Sequence, residues 1–190
     1  MTDGSRSQST RVVLVTGAAR GIGLACAKRF ALSGDTVILA DIDMEACEQQ
    51  AAALGAPHFA LHMDVGSEGS IKEAMRSAAT RTGRIDILVN NAGIVDSQAR
   101  PLLDVPARDI RRLVDVNLNG SFVAAREAGR HMAANGGGSI VNIASGAALR
   151  AIPGRAAYSM TKAAILGMTR ALAGEWACDG IRVNAVLPGY

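Results

Sequence analysis

Six short runs rich in β-branched and aliphatic residues alternate with longer alanine-rich stretches, and this alternation leaves the chain few architectures. The runs are Val12–Val15, Thr36–Leu39, His58–Leu61, Ile85–Val89, Ser139–Ile143 and Ile181–Val186. Most are apolar nearly throughout, as strands covered on both faces must be. Between them lie Gly21–Ser33, Met44–Leu54, Ser67–Thr82, a split region Ala107–Ala134, and Ala156–Asp179, where apolar residues recur at helical spacing. Ser33-Gly34-Asp35 and Thr82-Gly83-Arg84 place glycine where a helix C-terminus needs it, and Gly136-Gly137-Gly138 reads as a tight helix-to-strand turn. Strands and helices in this order predict the α/β class: a doubly wound parallel sheet between two helical layers, with right-handed crossovers.

Composition removes most alternatives. The chain has 190 residues, 49% hydrophobic and 19% charged, which suits one folded core and not a disordered chain. The polar lead, residues 1–10, is expected to be disordered; it lacks the apolar centre of a signal peptide. Residues 11–190 are read as a single domain. No apolar run is long enough to cross a bilayer. Cys26, Cys47 and Cys178 form no CxxC pair, which argues against a disulfide-stapled secreted domain. Cys26 and Cys178 fall in helical regions and read as packing thiols. A soluble, cytoplasmic protein is expected. His58 and His62 have no cysteine or carboxylate ligand set nearby, so no metal site is expected. The net charge is +3, but the arginines are interleaved with acids and aromatics make up only 3%, so a nucleic-acid groove is not expected.

The segment after the first run reads Thr16-Gly17-Ala18-Ala19-Arg20-Gly21-Ile22-Gly23. Glycines between a strand and a helix let the backbone turn sharply and let a pyrophosphate approach the helix N-terminus, where unpaired N–H groups and the helix dipole stabilise its charge. There is no Gly-Lys-Ser/Thr, which disfavours a nucleotide hydrolase of the P-loop kind. Asp41 ends the second strand, where a carboxylate can accept hydrogen bonds from ribose hydroxyls and repel a 2′-phosphate. Asp43 precedes the next helix and reads as its cap, leaving Asp41 as the ribose ligand. Arg20 works in the other direction, since an arginine there can meet a 2′-phosphate. Repulsion by Asp41 favours NAD, with NADP the less favoured cofactor.

The glycine spacing resembles the TGxxxGxG signature of the short-chain dehydrogenase/reductase family, and further motifs follow in order along residues 11–190. Asp64-Val65 is similar to the pair that holds the adenine ring, and Asn90-Asn91-Ala92-Gly93 to the family's NNAG. Asn117, Ser145 and Tyr158-Ser159-Met160-Thr161-Lys162 resemble the catalytic tetrad, and Pro188-Gly189 the turn beside the nicotinamide. The resemblance implies a Rossmann fold. It also implies cofactor binding by Gly17, Arg20, Gly21, Ile22, Gly23, Asp41, Ile42, Asp64, Val65, Asn91, Ala92, Gly93, Tyr158, Lys162, Pro188 and Gly189. Lys162 is implied to hold the nicotinamide ribose, and Asn117 to order a water that relays protons from Lys162. The family continues beyond the position of Tyr190 with a substrate lid and a further strand, so the domain is expected to be C-terminally incomplete relative to it.

The chemistry also follows from residue types. Tyr158 and Lys162, four apart, project from one helix face. Free tyrosine titrates near ~10 and is a poor base, but a nearby ammonium favours the phenolate. Tyr158 then exchanges a proton with an alcohol or carbonyl oxygen, while Ser145 hydrogen-bonds that oxygen. The expected function is an NAD-dependent oxidoreductase acting on a secondary alcohol or ketone. The alternatives are an NADP-dependent carbonyl reductase of the 3-oxoacyl type, and a dinucleotide-binding fragment without turnover. Arg150 and Arg155, between Ser145 and Tyr158, meet solvent, another subunit or an anionic substrate. Small residues along Leu118–Ala134 and Ala156–Asp179 suit close helix packing, and the resemblance implies a homodimer or homotetramer.

Overall fold

The computed structural model describes residues 10–96 and 98–189. The expected disorder of the lead therefore falls, Thr10 apart, outside the described residues. Six parallel strands, β1 (Val12–Thr16), β2 (Thr36–Asp41), β3 (Phe59–His62), β4 (Ile87–Asn90), β5 (Gly138–Ile143) and β6 (Ile181–Val186), form one sheet in the order β3-β2-β1-β4-β5-β6. Helices α1 (Gly21–Leu32), α2 (Met44–Leu54), α3 (Glu68–Thr82), α4 (Ala107–Leu113), α5 (Gly120–Ala134) and α6 (Ala156–Glu175) connect them.

Register explains why both faces are apolar. One row across the sheet, Phe59, Ile38, Leu14, Leu88, Ile140 and Val183, faces the core built with α3, α5 and α6. The next row, Ala60, Leu39, Val15 and Val89, faces α1 and α2 in a second core. Because side chains alternate faces along a strand, two helical layers require aliphatic residues at consecutive positions. Truncating a fully buried member such as Leu14 to alanine costs about 3 kcal/mol.

Strand order also sets where a ligand can sit. The chain lays β2 and β3 to one side of β1 and β4 to β6 to the other, so consecutive connections leave β1 and β4 in opposite directions. A crevice opens beyond the carboxyl ends of these two strands.

Three local expectations are corrected. The region 107–134 is helical without a break: a π-helical stretch, Val114–Asn119, joins α4 to α5. A widened turn absorbs the extra residue without ending the helix. The last helix stops at Glu175, followed by a short 3₁₀ turn, Ala177–Asp179, and Gly180 at φ 71°. Cys178 consequently lies exposed on that turn and is no packing thiol. Among the described residues, no helix is long and apolar enough to cross a membrane.

Candidate active site

The turn after β1 is built by glycine and by a buried hydroxyl. Gly17 and Gly21 have φ of 65° and 58°, conformations that side chains disfavour. Gly23 is needed for another reason: a Cβ there would run into the carbonyl of Gly17. Thr16 is fully buried, and its Oγ1 accepts from the N–H groups of Asn91 and Ala92, each at 3.0 Å. Asn91 Nδ2 donates to the Thr16 carbonyl at 2.9 Å. These bonds lock the Gly17 turn to the Asn91-Ala92-Gly93 turn across the crevice. Asp43 and Ser67 side chains cap α2 and α3, whereas no side chain caps α1 at Arg20. The first-turn N–H groups of α1 therefore remain available to an anion, which fits the pyrophosphate of a dinucleotide.

A cavity of about 890 Å³ extends from this turn. Gly17, Arg20, Ile22, Asp41 and Ile42 line one side, and Asp64, Val65, Asn91, Ala92 and Gly93 also border it. Asp41 is nearly buried and braces the turn: its Oδ2 accepts from Ala19 N at 2.9 Å and its Oδ1 from Asp43 N at 3.0 Å. Asp43 Oδ1 accepts from Ala46 N, which makes it the cap. The exposed Arg20 guanidinium lies 3.9 Å from the Asp43 carboxylate. Asp64 Oδ1 accepts from Gly66 N at 2.8 Å, shaping the loop after β3.

A smaller pocket of about 210 Å³ adjoins the first and shares Ile22, Asn91, Gly93 and Ile94 with it. Ser145, Tyr158, Lys162 and Pro188 line its other walls. Ser145 Oγ accepts from Ala147 N at 3.1 Å, which orients the hydroxyl at the end of β5. Lys162 is 5% exposed, its Nζ donates to the Ile143 carbonyl at 2.8 Å, and it stands 5.8 Å from the centre of the Tyr158 ring. Burial disfavours the ammonium and lowers the Lys162 pKa from 10.5 to about 8.

Asn117 lies behind this pocket, fully buried in the π-helical stretch. Its Oδ1 accepts from Ile94 N at 2.7 Å, and its Nδ2 donates to the Ile94 carbonyl at 2.8 Å and to Thr161 Oγ1 at 3.2 Å. Thr161 in turn donates to the Tyr158 carbonyl at 2.8 Å. The side-chain amide of Asn117 is thus committed to protein groups and ties the loop after β4 to the first turns of α6.

Among the sequence-derived positions, Gly21 and Gly23 shape the turn without lining either pocket, and Gly189 follows Pro188, which lines the smaller one, without lining it itself. Residues that motif reading did not single out also bear on the cleft: Thr16 as a lock, Thr161 as a link, and Arg108, Arg111 and Arg112 on the wall formed by α4. The signal for the last three was their helical spacing, which has meaning only once α4 is placed beside the cavity. Arg150 is exposed, whereas the Arg155 guanidinium donates to the Asp96 carbonyl, a contact within the chain.

The sequence profile of the short chain dehydrogenase family matches residues 11–190. The 2-(R)-hydroxypropyl-CoM dehydrogenase of Xanthobacter autotrophicus is 42% identical over 185 residues, 95% of this chain and 74% of that protein. The D-threitol dehydrogenase of Mycolicibacterium smegmatis is 38% identical over 181 residues, 94% of this chain and 69% of that one. The crystal structure of 3-ketoacyl-(acyl-carrier-protein) reductase from Brucella melitensis, complexed with NADH, superposes with a TM-score of 0.91 at 36% identity, covering 94% of this chain and 75% of that one.

Proposed function

The chain belongs to the short-chain dehydrogenase/reductase family of oxidoreductases acting on CH–OH groups, and on that premise we propose that it interconverts a secondary alcohol and its ketone with NAD as cofactor. The observation that carries this reading is the convergence of Ser145, Tyr158 and Lys162 on one small pocket continuous with the larger cavity.

A bound nicotinamide supplies the hydride acceptor in one direction and the donor in the other. Tyr158 takes the hydroxyl proton as the carbinol C–H bond gives up its hydride, and returns a proton to the oxygen when a ketone is reduced. Ser145 keeps its own proton while its Oγ accepts from Ala147 N, so it can donate to the substrate oxygen and stabilise the charge that develops there. Lys162, four residues from Tyr158, places its ammonium 5.8 Å from the centre of the phenol ring, and both side chains line the small pocket. Gly93, Asn91 and Ile22 form the seam where the two pockets meet.

Asp41 supports NAD over NADP, since its carboxylate borders the larger cavity and opposes a 2′-phosphate, while Arg20 is drawn toward Asp43. The dehydrogenase names of the Xanthobacter and Mycolicibacterium relatives agree with an alcohol/ketone couple, and the NADH bound in the Brucella reductase agrees with this cofactor. Small residues on α5 and α6, such as Ala163 and Ala171, suit pairing with a second copy, and we assign the protein a homodimer or homotetramer. Fluorescence titration is expected to show NADH binding at least tenfold tighter than NADPH; the reverse order overturns the cofactor assignment. Tyr158→Phe is expected to keep NADH binding and lose at least a hundredfold in turnover. Substantial residual activity in that variant overturns the acid/base assignment.

A further inference from the structure

The wall that α4 contributes to the larger cavity carries a concentration of positive charge. Arg108, Arg111, Arg112 and Asp115 recur at helical spacing along α4 and the π-helical stretch, and all four line the cavity.

The local acids do not account for these arginines. Asp109, the one acid of α4, is held by Arg100 at 2.7 Å, with Arg108 3.8 Å from its other oxygen. Asp115 accepts from Asn119 Nδ2 at 3.0 Å. Among the described residues, neither Arg111 nor Arg112 forms an ion pair. Nor do they serve a helix end, because α4 runs directly into the π-helical stretch and its last carbonyls stay within a helical ladder.

The charge of the cavity shows what these residues change. Without α4, its titratable lining is Asp41 and Asp64 against Arg20, whose guanidinium faces Asp43. With Asp115 added, three carboxylates would meet a ligand that itself carries two negative charges. Repulsion over such distances is appreciable at low ionic strength and screened within roughly 10 Å at 0.1 M salt. Arg108, Arg111 and Arg112 offset that negative charge.

We propose that Arg111 and Arg112, assisted by Arg108, form a cationic wall that draws in and retains the pyrophosphate of the dinucleotide through the field across the cavity. This inference rests on the dinucleotide-binding reading above. The glycine turn and the α1 N-terminus supply hydrogen bonds to that group, and the α4 wall supplies the compensating charge that this side of the cleft lacks. Because the wall acts through net charge, it serves both nucleotides, and NADPH, with the added charge of its 2′-phosphate, at least as strongly as NADH.

The test is a set of fluorescence titrations of native protein, the Arg111→Ala/Arg112→Ala double variant and the Arg111→Lys/Arg112→Lys double variant, with NADH and with NADPH. Each is run at about 0.02 M and about 0.5 M sodium chloride. At low salt the alanine variant is expected to bind both nucleotides about fivefold to tenfold more weakly than native protein. At high salt the two should converge, and the lysine variant should follow the native curve throughout. Unaltered low-salt binding by the alanine variant overturns the inference. So does a loss confined to NADPH, which would assign the arginines to the 2′-phosphate, or a loss that persists at high salt. Failure of the native protein to bind either nucleotide sinks the dinucleotide reading itself, and so is distinct from failure of the wall. Both arginines are exposed, and a thermal melt matching native protein, or the same losses in Arg111→Gln/Arg112→Gln, separates loss of charge from loss of fold.

Discussion

Lys162 Nζ donates to the main-chain carbonyl of Ile143 at 2.8 Å, across the junction between α6 and the end of β5. One carbonyl is modest compensation for a buried ammonium, and burial lowers the Lys162 pKa from 10.5 to about 8. The difference corresponds to about 3 kcal/mol of penalty on the charged form. Stability here is given up for a cation beside Tyr158.

Replacing Lys162 with methionine should therefore stabilise the fold while removing turnover. The unpaired Ile143 carbonyl offsets part of the gain, leaving about 1–2 kcal/mol, or roughly 3–6 °C in Tm near pH 7. The gain has a pH signature. Below pH 8 both folded and unfolded native chains hold the proton, and the penalty is felt in full. Between about 8 and 10.5 the unfolded chain holds it and the folded chain does not, so native stability rises with pH and the gap to the variant narrows. Melting curves at pH 7 and pH 10 measure this; a methionine variant less stable at pH 7 contradicts it.

Asn117 makes a different prediction, because it joins both backbone groups of Ile94 to Thr161. Asn117→Ala leaves buried donors and acceptors without partners and should cost about 2–4 kcal/mol in urea unfolding. Asn117→Asp keeps the acceptor for Ile94 N but turns a second oxygen toward the Ile94 carbonyl. Only the protonated acid can donate there, so the aspartate side chain in the folded variant holds its proton to higher pH than in the unfolded chain. The stability deficit against native protein should be smaller at pH 5 than at pH 7.5. An equal deficit at both values would show that the Ile94 clamp does not set the cost.

Much of this arrangement was legible in the residues, and the exceptions share a cause. Asp43 could be read as a cap and Asp41 as a cavity residue because each depends on its distance from one strand or helix end. That Leu14, Ile38 and Leu88 belong to strands apolar on both faces was legible as well, whereas their register was not. What escaped are relationships between elements far apart in the chain. Asp115, Asn117, Asn119 and Gly120 look like a break in a helix, yet Asn117 has its partners in Ile94 and Thr161, and Gly120 lies so close to the Val65 carbonyl that a Cβ would overlap it. The arginines of α4 look scattered until that helix is set beside the cavity. Periodicity reports the face of one helix and not its neighbour.

Asp41 combines bracing and recognition, and the two can be separated by substitution. Asp41→Asn removes the charge yet retains an amide oxygen that can accept one of the two N–H groups, from Ala19 or from Asp43. It should raise the affinity for NADPH relative to NADH by about tenfold, as expected when one repulsive charge is withdrawn. Asp41→Ala frees both N–H groups and should weaken both nucleotides. Titration with each nucleotide checks the pair; an unchanged NADPH to NADH ratio in Asp41→Asn would show that the carboxylate does not select the cofactor.

Two glycines of the first turn should fail for unlike reasons. Gly21 has φ 58° but open space where a Cβ would stand, so only backbone strain opposes a side chain. Gly21→Ala should cost about 1–2 kcal/mol, and Gly21→Asn less, since asparagine tolerates this conformation. Gly23 lies within α1, and its difficulty is the Gly17 carbonyl and the Asn91 side chain, which a Cβ would overlap. Relief requires moving the Gly17 turn, which Asn91 holds through the Thr16 and Gly17 carbonyls. Gly23→Ala should therefore cost about 3 kcal/mol or more, and asparagine should bring no rescue. Urea unfolding of the nucleotide-free protein separates the two cases, and equal costs at both positions would refute the distinction.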